Sequence, residues 1–560
     1  MRRLVVFTTM IIMTLIIAAC SSGEAENENA VAKDVVSNPD EERYIRDISI
    51  LSRPQSAAPD EYETAVLIQD ALQELGVNAE VETKPWEQIS DEVWFAREDW
   101  DITGWQMTAR PERLDPDEFT YNLFHSSGVE DGYNFMGYES EEYDELATAQ
   151  RKEIDQDKRA ELVKEAQQMI ADDAVYHFTV HPMINTVYNT EVFKSDSIVD
   201  MAGLGARNFW TYVEAEPAGD VKDIILNSPD TVQSINPFYI SGAVDSWITE
   251  LIWDRLMRVD EEGLPELWAA EEVDWVDDTT VNVKIRENMK WHDGNPVTAE
   301  DVKFSFEAPM TGEAPMYEAF VDIIDNITIE NDYELTFKLH EPWSAFETAT
   351  LAKLNIVPKH IWEPILEDLE DKPENLESHQ EEVPVGSGPY AFAHWKSQEE
   401  VVLNAYEEHF AAPNMERWIM RVVPNMEATL GMMQNGELNF LAAYTGDGDL
   451  LTQSVEEHSH LEMISSVDLG FRFFAVNHRL EPFDDLAFRK ALQAVIDKDR
   501  IVQTVWKGHA EPADSVIAPT LEFWKNEDIE TPSGGVNEAI EILKEAGYQW
   551  DEEGLLLKPE

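Results

Sequence analysis

The sequence predicts an α/β fold divided into more than one domain, and three observations carry that expectation. Strand, helix and strand patterns follow one another between residues 47 and 82. A short Pro/Gly connector, Glu214 to Asp220, breaks the chain. Beyond it, residues 256–382 carry many short alternating segments that read as a β-rich unit. At 560 residues the chain is too long for one compact core, and its 43% hydrophobic and 10% aromatic content suffices to fill several.

The elements can be read in order. Asp47 to Ser52 alternates as a strand does. Pro59 to Leu75 places Ala65, Leu67, Ile68, Ala71, Leu72 and Leu75 at helical spacing and stops at Gly76. Val77 to Glu82 is a second strand. A helix at about 155–171 precedes an apolar run, Val175 to Val180, and after the connector Val221 to Leu226 starts a new strand. Val281 to Ile285, Ile327 to Ile329 and Glu334 to Leu339 supply the β-rich unit. Helices return at Leu486 to Ile496 and Val536 to Ala546, the latter closed by Gly547. A turn at Asp551 to Gly554 then leads into Leu555–Leu557, the opening of a strand. An unpaired apolar edge invites aggregation, so this segment is expected to lie beside Asp47 to Leu51.

Charge excludes one class of partner. With 41 basic and 113 acidic residues the net charge is -72, and nucleic acid, whose phosphates need clustered Lys and Arg, is not expected as a ligand. The acidic residues are spread along the chain, the pattern of a solvated surface suited to a saline or alkaline exterior. Met1-Arg2-Arg3 precedes an apolar run from Leu4 to Ile17, shorter than the roughly 20 residues of a membrane span. It ends in Ile17-Ala18-Ala19-Cys20, which resembles the bacterial lipoprotein signal, with lipidation expected at Cys20. Residues 1–20 are then signal peptide and lipobox, and 21–43 a flexible linker. Cys20 is the single cysteine, so no internal disulfide is possible.

The most specific stretch is WHDGNPVTAEDVKFSFE, Trp291 to Glu307. A turn at Asp293-Gly294 is followed by Thr298 as a helix N-cap, with Asp301 three residues on. His292 has no second ligand at metal spacing, so neither metal nor other cofactor is expected. No Gly-x-Ser-x-Gly elbow or phosphate loop occurs, and among 113 acidic residues carboxylate pairs arise by chance, so composition gives an enzyme no support.

Trp291 to Glu307 resembles the signature of the family 5 solute-binding proteins of ABC importers. So do Asn355 to Trp362, Val385-Gly-Ser-Gly-Pro-Tyr390, Val476 to Phe483 and Phe488 to Leu492, which together span Val221 to Glu560. Asp99 to Trp105, Leu123 to Gly128, Gly137-Tyr138, Tyr143 to Leu146 and Val187 to Asn189 resemble the family's C-terminal third, yet stand first. The resemblance therefore implies a two-lobed periplasmic-binding-protein-like fold, type II and cluster C-like, with an extra β-rich subdomain and a circularly permuted order. Lobe II is expected in 44–177 and 446–560, lobe I in 178–257 and 385–445, and the β-rich insertion in 258–384.

Such a protein is a non-enzymatic receptor that captures a peptide or similar solute between its lobes. It delivers that solute to a permease and ATPase complex, and would be a monomer held outside the cell membrane by the lipid on Cys20. A secreted carboxylate-dependent hydrolase, or a sensor presenting its liganded form to a membrane partner, are the alternatives. The resemblance puts Arg53, followed by Pro54, where relatives read a ligand carboxylate, a task suited to the two-pronged guanidinium; a surface turn is the plainer reading. Trp105 is expected as a cleft wall or as core. Thr108 stands where peptide-binding relatives hold the α-amine with an aspartate, and Arg110, Asp115 or Asp117 could substitute. From lobe I, Asn236 and Trp247 complete the expected site.

Overall fold

A computed structural model describes residues 31–130, 132–369 and 373–560 of the chain. The signal sequence and the lipidation expected at Cys20 lie outside the described residues.

The first unit forms as its patterning requires. Strand β1 (Ile48–Ser52) leads into helix α1 (Pro59–Leu75), which begins with Pro at its first turn and ends at Gly76 in the left-handed region, φ 92°. Thr64, Ala65, Ile68, Leu72 and Leu75 form the buried stripe of α1. Strand β2 (Ala79–Thr83) pairs parallel to β1 on one side, and β3 (Ile102–Met107) pairs parallel to it on the other. Beyond β3 lies the antiparallel strand Phe471–Val476, which pairs in turn with β4 (Tyr176–Asn189).

β4 joins two halves of one large mixed sheet. Its first part, Tyr176 to Val180, pairs with Phe471–Val476, while Met183 to Asn189 pairs with Leu461–Val467. In the second half β5 (Asp223–Ser228) lies between Arg417–Val422 and Phe440–Leu441, both parallel to it, and Phe440–Leu441 pairs antiparallel to β4. Glu400–Ala405 and Tyr390–Lys396 extend the outer edge. The result is the two-lobed α/β fold that the sequence implies. The run Val175 to Val180 and the stretch Val187 to Asn189 belong to one strand, β4, which continues through Pro182 where it changes partner. Along β4 the strand partners thus change at about 181–183, and those partners are separated at 467–470.

The β-rich insertion contains a four-stranded antiparallel sheet in the order Ile324–Asn331, Glu334–Leu339, Thr280–Ile285, Ala270–Asp277. Helix Ala299–Met310 lies against it, with Phe306 and Phe337 edge to face at 5.2 Å. Thr298 and Asp301 form the capping box, the backbone N–H of Thr298 donating to Asp301 at 2.9 Å. His292 ties two distant motifs together. Its Nε2–H donates to the carbonyl of Gly388 at 3.0 Å, and Gly386 N–H donates to its Nδ1 at 3.3 Å. Burial pushes the His292 imidazole below its ordinary pKa, in keeping with a neutral ring that accepts on one side. A Cβ at Gly386 would stand 1.9 Å from the carbonyl oxygen of Ile252, so only glycine fits this approach.

Leu556–Leu557 pairs with Gln549–Trp550, and Tyr44 bridges to Leu557. Ile45 N–H donates to the Leu556 carbonyl at 3.3 Å and Lys558 N–H to the Arg43 carbonyl at 2.7 Å. The expected pairing with Asp47 to Leu51 is thereby corrected. Both edges of β1 are already taken by β2 and β3, and the neighbour of Leu556–Leu557 is the segment immediately before β1. Trp550, fully buried, donates its indole N–H to the Leu75 carbonyl at 2.6 Å and anchors this corner.

Candidate functional site

The site forms where β1 stops and β3 goes on. Pairing of β1 with β3 ends at Leu51 and Thr103, but β3 continues to Met107 against Phe471–Val476. Among the described residues, the β1-facing edge of Gly104 to Met107 therefore has no strand partner. Met107 stands opposite Phe471, so this open edge lies at the lobe crossing. The carboxyl ends of parallel strands in open α/β sheets are where ligands bind, because loops diverge there and leave a crevice.

Side chains of both signs and several aromatics converge on this edge. Arg53, the residue after β1, donates from Nε at 2.8 Å and Nη2 at 2.7 Å to Glu61 Oε2, and its backbone N–H donates to Glu61 Oε1 at 2.8 Å. Glu61 comes from the first turn of α1, where the helix dipole favours a carboxylate. Its Cγ would be 3.0 Å from a Cβ at Gly104, so the bare backbone of Gly104 makes room for it. Asp60 faces Arg472, whose Nε is 3.5 Å from Asp60 Oδ2 and whose guanidinium lies 5.5 Å from the Trp506 ring. Gln106 completes the niche.

Trp105 forms one wall. Its ring is 4.5 Å from Trp86, stacks on Trp94 at 5.8 Å and meets Phe135 at 5.5 Å. Trp86 is 43% exposed and Arg53 lies 5.8 Å from its ring. The segment Asp91–Ala96 that carries Trp94 is a π-helical turn, a local distortion often found at functional sites.

The remaining expected residues go elsewhere. Thr108 and Arg110 are exposed in the loop after β3, and the Thr108 carbonyl accepts from Arg113 Nη1 at 2.6 Å. Asp115 is buried. Its Oδ1 and Oδ2 receive Arg159 at 2.5 and 2.9 Å, and Thr348 of the insertion donates to Oδ2 at 2.8 Å. Burial alone would raise the Asp115 carboxyl, but the Arg159 charge and the hydrogen bonds outweigh it and hold the pKa below the ordinary value. Asp117 is likewise held by Arg151 at 2.7 Å and receives the Trp343 indole at 3.3 Å. These carboxylates join lobe II to the insertion; both oxygens of each are engaged within the protein.

Asn236 is fully buried and donates to the carbonyls of Leu376 and His379 at 2.9 and 3.3 Å, holding a loop at the end of the insertion. Trp247 is buried in helix Ala243–Ile252 with the Arg207 guanidinium 4.2 Å from its ring. The structure thus brings Arg53 and Trp105 into one niche and engages Asp115, Asn236 and Trp247 in packing. Sequence reasoning missed Glu61, Gln106, Arg472, Trp506 and Trp86. Only Glu61, a carboxylate in a helix first turn soon after Arg53, left a readable trace.

The motifs of the two ends of the chain meet around this lobe. Asn477 N–H donates to the Asp101 carbonyl at 3.1 Å, Arg479 Nη1 to the Phe135 carbonyl at 3.0 Å, and Arg489 Nη2 to the Asp173 carbonyl at 3.0 Å. Near the crossing, Lys507 lies 3.3 Å from Asp447 and His509 3.2 Å from Asp449.

The chain is 27% identical over 333 residues to the oligopeptide-binding protein AppA of Bacillus subtilis (strain 168), covering 58% of this chain and 60% of that one. It is 24% identical over 365 residues to the glutathione-binding protein GsiB of Escherichia coli (strain K12), covering 62% and 66%. The chain thus spans less than two thirds of the length of these relatives. The solved structure of Bacillus subtilis AppA in complex with a nonapeptide matches 60% of this chain and 66% of its own, at 25% identity and a TM-score of 0.45. The sequence profile of the bacterial extracellular solute-binding proteins, family 5 Middle, matches residues 265–559, more than half the chain. The chain belongs to the family 5 bacterial extracellular solute-binding proteins.

Proposed function

We propose that this protein is the substrate-binding lipoprotein of an ABC importer, which captures a peptide or similar small solute between its lobes and hands it to a permease and ATPase complex. The observation that carries this reading is the open edge of β3 at the lobe crossing, beside the Trp105 wall. An extended peptide can add to such an edge as a further strand, its main chain giving affinity and neighbouring pockets giving selectivity. Arg53 and Trp105 are the ligand-facing residues of this proposal; Thr108 and Arg110, exposed on the loop beyond the edge, flank it. In the same reading the chain is anchored outside the cell membrane through Cys20 and works as a monomer. No helix among the described residues is long and apolar enough to cross a membrane.

The proposal includes a permuted order, in which 44–182 and 468–560 make lobe II, 183–257 and 385–467 lobe I, and 258–384 the insertion. Three features support it: the hydrogen bonds of Asn477, Arg479 and Arg489 to the front of the chain, the change of sheet inside β4, and the connector. That connector lies against 192–194, Lys194 N–H donating to the Glu216 carbonyl at 3.0 Å and Ala218 N–H to the Val192 carbonyl at 2.8 Å.

The test incubates purified full-length protein with peptides of two to nine residues and follows melting and product formation together. A ligand-dependent rise in melting temperature with the peptide recovered intact supports the receptor. Cleaved peptide would support the hydrolase, and no shift with any peptide would remove the peptide reading.

A further inference from the structure

We propose that the niche at the end of β3 accepts an uncharged, hydrogen-bonding end of the ligand, such as a carboxamide, and that Glu61 sets this preference by occupying Arg53. This rests on the receptor reading above and narrows the ligand class of that same site.

Arg53 is the group expected to read a ligand carboxylate, but a carboxylate from the protein already sits there. Its backbone N–H, Nε and Nη2 all point to Glu61 at 2.7–2.8 Å. Glu61 is 10% exposed and Arg53 27%, so the pair is formed largely out of water and is weakly screened. Glu61 is also pinned: its Cγ lies over the bare backbone of Gly104, and moving it away would leave the Arg53 backbone N–H without its partner. The second cation of the niche, Arg472, faces Asp60. Two guanidinium groups and two carboxylates therefore balance within one small pocket.

A ligand carboxylate entering here would gain little from an arginine already compensated. It would also be brought beside Glu61 and Asp60, and like charges placed together at an interface are strongly disfavoured. A carboxamide meets no such cost. Gln106 offers both donor and acceptor, and Trp105 and Trp506 add aromatic lining. Glu61 thus acts as an internal stand-in for the anion that an unpaired arginine would select, and removing its charge should open the niche to anions.

The experiment titrates full-length wild-type protein and the Glu61→Gln variant with two pentapeptides of one sequence, one ending in a free carboxylate and one in a carboxamide. Wild type is expected to bind the carboxamide about tenfold tighter or more. Glu61→Gln is expected to shrink that ratio to about threefold or to reverse it. Wild type binding the free acid as tightly as the amide would overturn the proposal while leaving the receptor reading intact, and this comparison requires no variant to fold. An unchanged ratio in a folded Glu61→Gln protein, checked by circular dichroism, would remove Glu61 from the role. Binding of neither peptide by either protein would overturn the carboxamide proposal, while the receptor reading stands or falls with the peptides of two to nine residues.

Discussion

A buried ion pair of lobe II lies beside its junction with the insertion, and its removal has a calculable cost. Arg159 and Asp115 have side chains 1% and 4% exposed, joined through two hydrogen bonds at 2.5 and 2.9 Å. Asp115→Asn keeps the shape but removes the charge, stranding the guanidinium of Arg159 away from water. Breaking one partner of a buried pair costs about 3–5 kcal/mol, because the remaining charge is left uncompensated. For a unit of 150–250 residues each kcal/mol lowers the melting temperature by about 2–4 °C, so a fall of about 6–20 °C is expected at pH 7. Differential scanning calorimetry of wild type and Asp115→Asn measures it directly. Thr348→Val, which deletes one hydrogen bond to the Asp115 carboxylate, should cost about 1.5–3 kcal/mol.

The pH dependence of that difference follows in sign. The folded Asp115 carboxyl titrates below its ordinary value of 3.8, so its stabilisation is complete above that value. The stabilisation is lost as pH falls through the depressed folded value. The gap between wild type and Asp115→Asn should stay constant from pH 8 to pH 5 and close only below about pH 4. A gap already shrinking between pH 7 and pH 5, or a melting difference under about 2 °C at pH 7, would refute the buried-pair account. Asp115 as a ligand contact makes the opposite forecast: weaker binding with unchanged melting.

Gly386→Ala should destabilise by more than about 2 kcal/mol, since its Cβ would fall 1.9 Å from the Ile252 carbonyl oxygen; normal melting would show that the backbone there moves freely. Trp105→Ala removes the ring between Trp86, Trp94 and Phe135, and is expected to weaken binding of a peptide ligand about tenfold with the fold retained. Unchanged affinity would place Trp105 in the core alone. With a net charge of -72, melting should rise as sodium chloride is raised to molar levels and self-repulsion is screened; a maximum at low salt would remove the saline-exterior reading.

How much of this was legible follows from the range of the forces involved. The strand, helix and strand at the front of the chain were readable because a single apolar stripe and a Gly stop specify α1 locally. The Thr298 capping box was readable for the same reason. Val175 to Val180 was legible as a strand, but its continuity with Val187 to Asn189 was not, because a change of strand partner leaves no local pattern. Of the candidate residues, Arg53 and Trp105 share one niche, whereas the use of Asp115 in a buried pair was not legible. Its partner stands 44 residues away, and no periodicity marks such a pairing. Likewise, nothing near Leu555 indicates that β1 has both edges filled, which displaces the last strand to Tyr44.

The two lobe crossings lie side by side, and that places the site mechanically. Val467 pairs with Met183 on one side of the change of sheet, and Arg472 pairs with Val180 on the other. Ala510–Pro512 lines the same stretch of β4, at Val180 to Pro182. Rotation of one lobe against the other would therefore pivot about the few residues at 181–183 and 467–470, where β4 exchanges one set of strand partners for another. The open edge of β3 begins within one ladder step of that pivot, at Met107 opposite Phe471. A ligand strand laid on this edge sits close to the axis, where opening moves it least. The contacts of Ser344 and Thr348 with Arg151 and Asp115 hold the insertion against lobe II and must break for the lobes to separate. The Asp115–Arg159 pair itself lies wholly within lobe II, so it survives such opening and leaves a satisfied charge pair behind. Parting would then cost the hydrogen bonds across this junction, about 1.5–3 kcal/mol for each one made to a carboxylate, and the exposed Lys152–Glu341 contact, but would strand no buried charge.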